Sequence, residues 1–520
     1  MHRALARPRT IVAVAAAGIL AVACVISTTT RPSTLDASGA TPRVVVTPVK
    51  AHLLDGSVVV FPTGATVGGG TVTGLGYLFD VTRADSQPTA SVPLDSVLGI
   101  EVYERRVNPG RTLIYGTATL AASVVGAAGL AVAIFGSCPT VYADSAGVPT
   151  LQAESFSYSI APLLAKRDVD RMSVTPDSAG VIRLSVQNEA LETHHIDQME
   201  VVELRHEAGE LALPTPRGGP IAVSGLARPA SIRDGAGRDV GGVLAEADGA
   251  AFTTAAALLD RAIAGGPTRD HLDITVARPA GRDSVAVVLR ARNSLLASAT
   301  LYDYMLARPG ASSLDWMGRD LARIGTVAQL ANWYVGNFGM RVEVRDGDRW
   351  RHVVRLMDFG PTAWRDVGVV VPAGRGDSVR IRLSFTADEF QIDRVALAWG
   401  VRALAQRTVA AARVTGSDGR RRDDVLRMLA RADEREVVTN PGDQFVAEFD
   451  VGLAPPGTRT FMLAAHGYYV EWVRGSWIQA AADSVPFAPS RTPIRDVLRS
   501  WRASKDTLEQ RFFQLRVPVA

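Results

Sequence analysis

The sequence predicts a mainly β, multidomain protein with accessory helices. Two observations carry that prediction. Apolar and polar residues alternate in short runs from about residue 44 to 471, and these runs are separated by Gly, Asp and Pro turn signals. Asp-Gly pairs at Asp55-Gly56 and Asp346-Gly347 sit between two such runs, the arrangement of a tight hairpin. A length of 520 residues adds a prior of about three or four domains. The composition, 47% hydrophobic, can fill several cores.

Residues 1–24, "MHRALARPRTIVAVAAAGILAVAC", have a basic start, an apolar run from Ile11 to Ala23 and small residues before a cysteine, the layout of a secretory signal. Ala21-Val22-Ala23 before Cys24 fits lipidation of Cys24. Ordinary cleavage and an uncleaved anchor are the alternatives. Each puts the bulk of the chain outside the cytoplasm, on the periplasmic face of a membrane if Cys24 is the anchor. A flexible Thr/Ser/Pro-rich tether is expected over 25–43. With Cys24 and Cys138 as the only cysteines, at most one disulfide forms, and zinc sites built on cysteine pairs are excluded. The 56 basic residues exceed the 53 acidic ones by the three arginines of the leader, Arg3, Arg7 and Arg9. That balance argues against a nucleic-acid partner.

Strand-like runs over 44–107 predict a small β-barrel. Gly68 to Gly76, "GGGTVTGLG", lacks the Lys-Ser/Thr ending of a phosphate loop and reads as a glycine-rich hairpin. The run ending in "VPLDSVLGIEV" resembles a small Sm-like or SH3-like barrel. Thr112 to Tyr142 carries no charge, and 112–136 is Gly/Ala-rich. Ala118, Ala122 and Gly126 recur every four residues, a pattern that lets helices approach closely. Arg105, Arg106 and Arg111 before it oppose an out-to-in crossing. A membrane-associated or self-packing helix or hairpin is therefore expected ahead of a true span or a buried helix.

Residues 138–270 read as a β-rich domain and 271–400 as a β-sandwich interrupted by one amphipathic helix over 313–338. In that helix Leu314, Met317, Leu321, Ile324, Ala328, Ala331 and Val335 form the apolar face. Residues 401–520 read as a mixed helix and strand region. The apolar stretch followed by S-C-P-x-V-Y, and then by "NEALETHHID", resembles uncharacterised bacterial envelope proteins of the lipoprotein kind, a likeness that brings no activity with it. The W-R-D-V-x-V strand and the F-x-I-D-x-V of residues 390–395 resemble galactose-binding-like or jelly-roll sandwiches.

Candidate chemistry is sparse. His194, His195, Asp197 and His206 are the one histidine group that could hold a metal. Adjacent His194 and His195 must face opposite sides of a strand, and His206 to Glu210 lacks the second histidine of a metalloprotease helix. No G-x-S-x-G elbow is present. The pairs Asp388-Glu389 and Asp423-Asp424 are expected to be solvated in a turn or at a helix start. Tyr468, Trp472 and Arg474 share one strand face and could stack on a sugar or peptide. Packing of the two aromatics is the competing and preferred reading. No cofactor is called for. The sequence thus predicts a non-catalytic exported envelope lipoprotein that binds a glycan or protein partner or serves assembly near a membrane. The alternatives are an exported hydrolase and a structural subunit of an envelope assembly.

Overall fold

The computed structural model describes residues 28–107, 139–472 and 487–514, apart from short gaps at 36–40, 48, 54–56, 80–85, 146–147, 217–218, 311, 358, 375, 434 and 456. The leader with Cys24, the stretch 112–136, Cys138, the Asp55-Gly56 turn and Arg474 lie outside the described residues. The protein is mainly β: five antiparallel sheets form three units, and most of the helices gather in one layer. Among the described residues no helix is long and apolar enough to cross a membrane.

The N-terminal unit comprises β1 (Thr28–Thr34), β2 (Arg43–Val45), β3 (Val49–Leu53), β4 (Val58–Phe61), β5 (Ala65–Gly68), β6 (Thr71–Phe79), β7 (Ser86–Pro93) and β8 (Val97–Val107). They form one sheet in the order β1-β8-β3-β4-β6-β5-β2, with β7 added to β6. Its core is aliphatic, with Val49, Ala51, Val59, Val72, Ile100 and Val102 packed around Phe61. Residues 28–34, expected within a flexible tether, instead pair along β8 from Thr28 opposite Val107 to Thr34 opposite Glu101. Successive β-branched threonines suit an extended edge strand. Gly69 and Gly70, with φ of +62° and +79°, make the β5–β6 turn, so the glycine-rich run is a hairpin. Gly76 lets the two layers touch: a Cβ there would stand 2.7 Å from the ring of Phe61.

The first sandwich begins with β9 (Thr140–Ser145), β10 (Val148–Glu154), β11 (Lys166–Met172), β12 (Val181–Gln187) and β13 (Glu192–Arg205). The chain then leaves it to build the whole second sandwich. That unit contains β14 (Leu211–Leu213), β15 (Ile221–Ala227), β16 (Ser231–Asp234), α1 (Ala256–Ile263), β17 (Arg269–Ala277), β18 (Ser284–Asn293), α2 (Leu296–Ala299), α3 (Ser312–Gly318), α4 (Ile324–Asn337), β19 (Met340–Asp346), β20 (Arg349–Leu356), β21 (Arg365–Pro372), β22 (Ser378–Thr386) and β23 (Phe390–Ala403). The first sandwich is then completed by β24 (Gln406–Ala410), β25 (Arg413–Gly416), α5 (Asp423–Leu429), β26 (Val437–Thr439), β27 (Gln444–Asp450) and β28 (Arg459–Glu471), and α6 (Ile494–Gln514) closes the described chain. The expected boundaries at 270 and 400 therefore do not divide the sheets. Strand β13 pairs with β24, β26 and β28, all from beyond residue 405.

The sheets β10-β9-β12-β27-β25 and β11-β28-β13-β24 enclose the first core, where Leu184, Val201, Phe449 and Leu463 meet. The sheets β14-β15-β23-β18-β21 and β16-β17-β22-β19-β20 enclose the second, around Ile274, Val287, Ile381 and Leu397. Strand β18 is buried on both faces, because Ala286 and Val288 turn outward onto a second apolar cluster with Leu213 and Val223. Outward Val202, Leu204, Met462 and Ala464 of the first sandwich likewise pack on Ala212, Ala222 and Leu404.

The helical layer packs α1, α2, α3, α4 and α6 around Trp316, Leu330, Tyr334, Leu498 and Trp501. The single helix expected over 313–338 is broken. Arg323 is extended, with φ −97° and ψ 125°, between α3 and α4. Past this break the buried face becomes Val327, Leu330, Ala331 and Tyr334, leaving Ile324 61% exposed. The apolar 3-4 spacing matched a continuous helix because it did not register the reset of phase.

Candidate functional site

Strands β13 and β28 carry most of the residues singled out in the sequence, and they pair from Glu192 opposite Glu471 to Arg205 opposite Arg459. Tyr468 and Trp472 are 0% and 2% exposed, so neither offers a binding platform. Tyr468 stacks on His195 with ring centroids 4.4 Å apart, and its hydroxyl donates to Glu436 Oε2 at 3.2 Å. Trp472 packs edge-on against Phe79 of β6, and its indole N–H donates to Thr193 Oγ1 at 2.9 Å. This face of β28 is the seam with the N-terminal sheet, completed by Val58, Val60 and Leu191.

The histidines diverge. His194 points to the opposite side from His195. Its Nε2 lies 2.7 Å from Glu192 Oε1 and its Nδ1 3.1 Å from Thr439 Oγ1. Burial, reinforced by His195, pushes its pKa down to about 3, so the ring is neutral and the Glu192 contact is a hydrogen bond rather than an ion pair. His195 Nδ1 lies 3.1 Å from Glu436 Oε2. Asp197 sits in a β-bulge, where its carboxylate accepts the Asp433 N–H at 3.0 Å and lies 3.1 Å from His466 Nδ1. His206 contacts Thr460 Oγ1 and the Glu207 carbonyl, each at 3.0 Å. The four residues thus serve separate partners. Among the described residues no group of three or more His, Cys, Asp or Glu side chains is placed to hold a metal.

Asp388 and Glu389 depart from the solvated turn expected of them. Both are buried at the β22–β23 turn. Asp388 adopts φ +64°, and its carboxylate accepts Trp501 Nε1 at 2.7 Å and Lys505 Nζ at 2.8 Å, both from α6. Glu389 accepts the N–H groups of Gly339 and Thr386, and burial pushes its pKa up to about 7 against the attraction of Arg269. By contrast, Asp423 and Asp424 stand at the start of α5 as expected, paired with Arg421 and Arg422.

Sequence reasoning missed the junction between the sandwiches. Arg365 Nε lies 2.7 Å from Asp170 Oδ1, and its Nη2 binds Asp168. Asp366 gathers Arg290 at 3.2 Å and Arg171 and Arg394 at 3.5 Å, while Arg290 also reaches Asp393 at 2.9 Å. Burial raises the pKa of Asp168, but Arg365 and Lys166 outweigh it and hold the carboxyl below its ordinary value. The available signal was charge alternation within strand-like segments, "KRDVDRM" and "WRDV", since a buried charge requires a partner.

A cleft of about 380 Å³ opens beside this ion lattice. Its charged wall includes Arg167, Arg355, Arg365, Asp168 and Asp366, and its apolar wall includes Pro214, Pro216, Met357, Phe359 and Met462. Glycosidic hydrolysis needs one carboxyl kept protonated as general acid. Asp168, held ionised by Arg365, cannot supply that proton.

No protein-family model matches the chain, and no curated protein matches it. Among solved structures, a GH31 alpha-xylosidase from Xanthomonas citri is similar at 10% identity over 84% of this chain, with a TM-score of 0.13. The chain spans 38% of that enzyme's length, and a likeness this distant carries no argument.

Proposed function

We propose that this protein is an exported, non-catalytic envelope lipoprotein, anchored at Cys24, that binds a glycan or protein partner in the cleft between its two sandwiches. The cleft is the observation that carries the binding reading. Interfaces between folded units are a usual place for ligand sites, and this one combines apolar walls with a few fixed polar groups. The leader sequence supports export, and the cysteine after Ala21-Val22-Ala23 supports the anchor.

Two measurements test it. Fractionation with intact-mass analysis should place the wild-type chain with membranes, beginning at a lipid-modified Cys24, while Cys24→Ser accumulates as precursor or is released. A photo-crosslinker installed at Thr215, beside the cleft, should capture an envelope component that the same group at exposed Leu453 does not. Equal capture at both positions, or a mature chain starting elsewhere without lipid, overturns the reading.

A further inference from the structure

The outer face of the sheet β16-β17-β22-β19-β20 carries a concentration of arginine that no fold requirement explains. The inner face of this sheet is the apolar core, so alternation places Arg269 and His271 (β17), Arg382 (β22), Arg341 and Glu343 (β19), and Trp350, His352 and Arg355 (β20) outward. Ladder register puts Arg341 directly opposite Arg355, with Ser384 on its other side. Like charges directly opposite on adjacent strands repel.

Arg382 is neutralised, held by Asp273 through contacts of 2.6 and 2.7 Å. Among the described residues the remaining three guanidiniums have no such partner. Arg269 is fixed by neutral acceptors, donating to Gly339 O at 3.0 Å, Ser384 O at 2.7 Å and the Ser384 hydroxyl at 3.2 Å. Arg355 donates to Phe338 O at 3.3 Å. Among the described residues Arg341 makes no ion pair or hydrogen bond, and its Nε is buried without an acceptor. Burial pushes the pKa of Arg269 down to about 10, with Arg341 and Arg355 adding to the depression. Arg355 is lowered by burial and then by Arg341. The carboxylates near them are Glu343 on the face and Glu389 beneath it, and burial holds Glu389 largely protonated up to about pH 7.

We infer that this face binds an anionic polysaccharide, with the Arg269–Arg341–Arg355 cluster receiving its carboxylate, sulfate or phosphate groups. A guanidinium offers two parallel donors to an oxyanion, and three of them meet on this face, with Arg341 unengaged among the described residues. A chain laid along β20 from Arg355 would pass His352 and reach Trp350. Arg382 stacks on Trp350 at 4.4 Å to extend a planar surface of the sort on which sugar rings rest. The recessed, carbonyl-tethered arginines suit a thin chain better than a bilayer. Among the described residues no large hydrophobic side chain is exposed on this face to enter lipid. The choice of a polysaccharide among polyanions rests on the exported reading, whereas the anion site itself does not.

The test uses the full chain at low ionic strength, titrated with heparin, polygalacturonate, neutral dextran, a DNA oligonucleotide and phosphatidylglycerol vesicles. Heparin or polygalacturonate should bind and dextran should not. Arg341→Gln should weaken binding about tenfold or more without lowering the melting temperature, because the side chain has no partner to lose. Arg341→Lys should recover only part, since it restores the charge but not the fork. Arg420→Gln, at an exposed site on the first sandwich, should change nothing. Binding that is indifferent to Arg341→Gln, or that is confined to DNA or vesicles, overturns the inference. Because the titration is made on purified protein, its outcome is independent of where fractionation finds the chain.

Discussion

The ammonium of Lys50 lies 4.1 Å above the ring of Trp472, and both side chains donate to the one hydroxyl of Thr193. A lysine of the N-terminal sheet is thereby buried, at 1% exposure, against the last residues of the first sandwich. Trp472→Ala removes the ring, the indole donor and the apolar seam with Val58, Val60 and Phe79 together. Such a truncation costs about 3–5 kcal/mol, read as a lowered midpoint in urea. Trp472→Phe should recover part of it. An unchanged midpoint for the alanine variant would mean the seam is not formed.

Asp366 stands among Arg171, Arg290 and Arg394. Removing the shared anion leaves three part-buried cations facing each other with only Arg290 still paired, to Asp393, so Asp366→Asn should destabilise the protein by about 3 kcal/mol. Addition of salt should restore little of this, because the site is buried. A loss confined to a few tenths of a kcal/mol would show that the lattice is hydrated.

Stability should depend on pH through two buried groups of opposite sign. His194 has its pKa lowered to about 3, so its neutral form belongs to the fold, and stability falls as pH drops from 6.5 towards 3. Glu389 has its pKa raised to about 7, so its protonated form belongs to the fold. Its contribution is complete below 4.5 and is lost as pH rises through 7. Between 4.5 and 6.5 the two slopes oppose each other. Glu389→Gln should abolish the decline towards neutral pH while leaving the acid limb intact. Denaturation midpoints across pH 3 to 8 provide the readout, and a Gln variant with the wild-type slope contradicts the assignment.

Asp388 clamps α6 by accepting from Trp501 and Lys505 at once. Asp388→Asn keeps a residue tolerant of its left-handed φ but loses the charge that Lys505 neutralises. Hydrogen exchange should accelerate in residues 494–514 and remain unchanged in β12 and β27. Uniform acceleration in all three would assign Asp388 to global stability instead.

Local features of the fold were legible where the chemistry is local. Asp346-Gly347 turned as read, with Gly347 at φ +56°, and Asp423-Asp424 stand at the start of α5. Pairing was not legible. Nothing in "NEALETHHID" states that its partners lie more than 200 residues away, because period-two alternation fixes which side chains face a core and not which strand lies alongside. The same limit hid the candidate site. Arg365 and Asp168 become partners only when β21 is brought against β11, and Arg341 becomes orphaned only when Arg355 is placed opposite it. Asp388-Glu389 misled because a polar turn is ordinarily wet, and the cover that α6 places over it arrives from the other end of the chain.

The placement of the second sandwich inside the first sets an order of events during synthesis. Strands β9 to β13 emerge from the ribosome or translocon some 200 residues before β24 to β28, their partners. Until then β13 presents unpaired edges and a bare apolar face, the features that invite wrong association. Among the described residues the strands of the inserted sandwich pair only with one another, so its sheets can form during that interval. Its completion brings Ala403 back to within a few residues of where the chain left β13, so the late strands arrive already tethered beside their template. A holdase that shields residues 139–205 would therefore be needed only for the time taken to make the insert, and lengthening a loop within that insert would prolong the exposure without altering a single native contact.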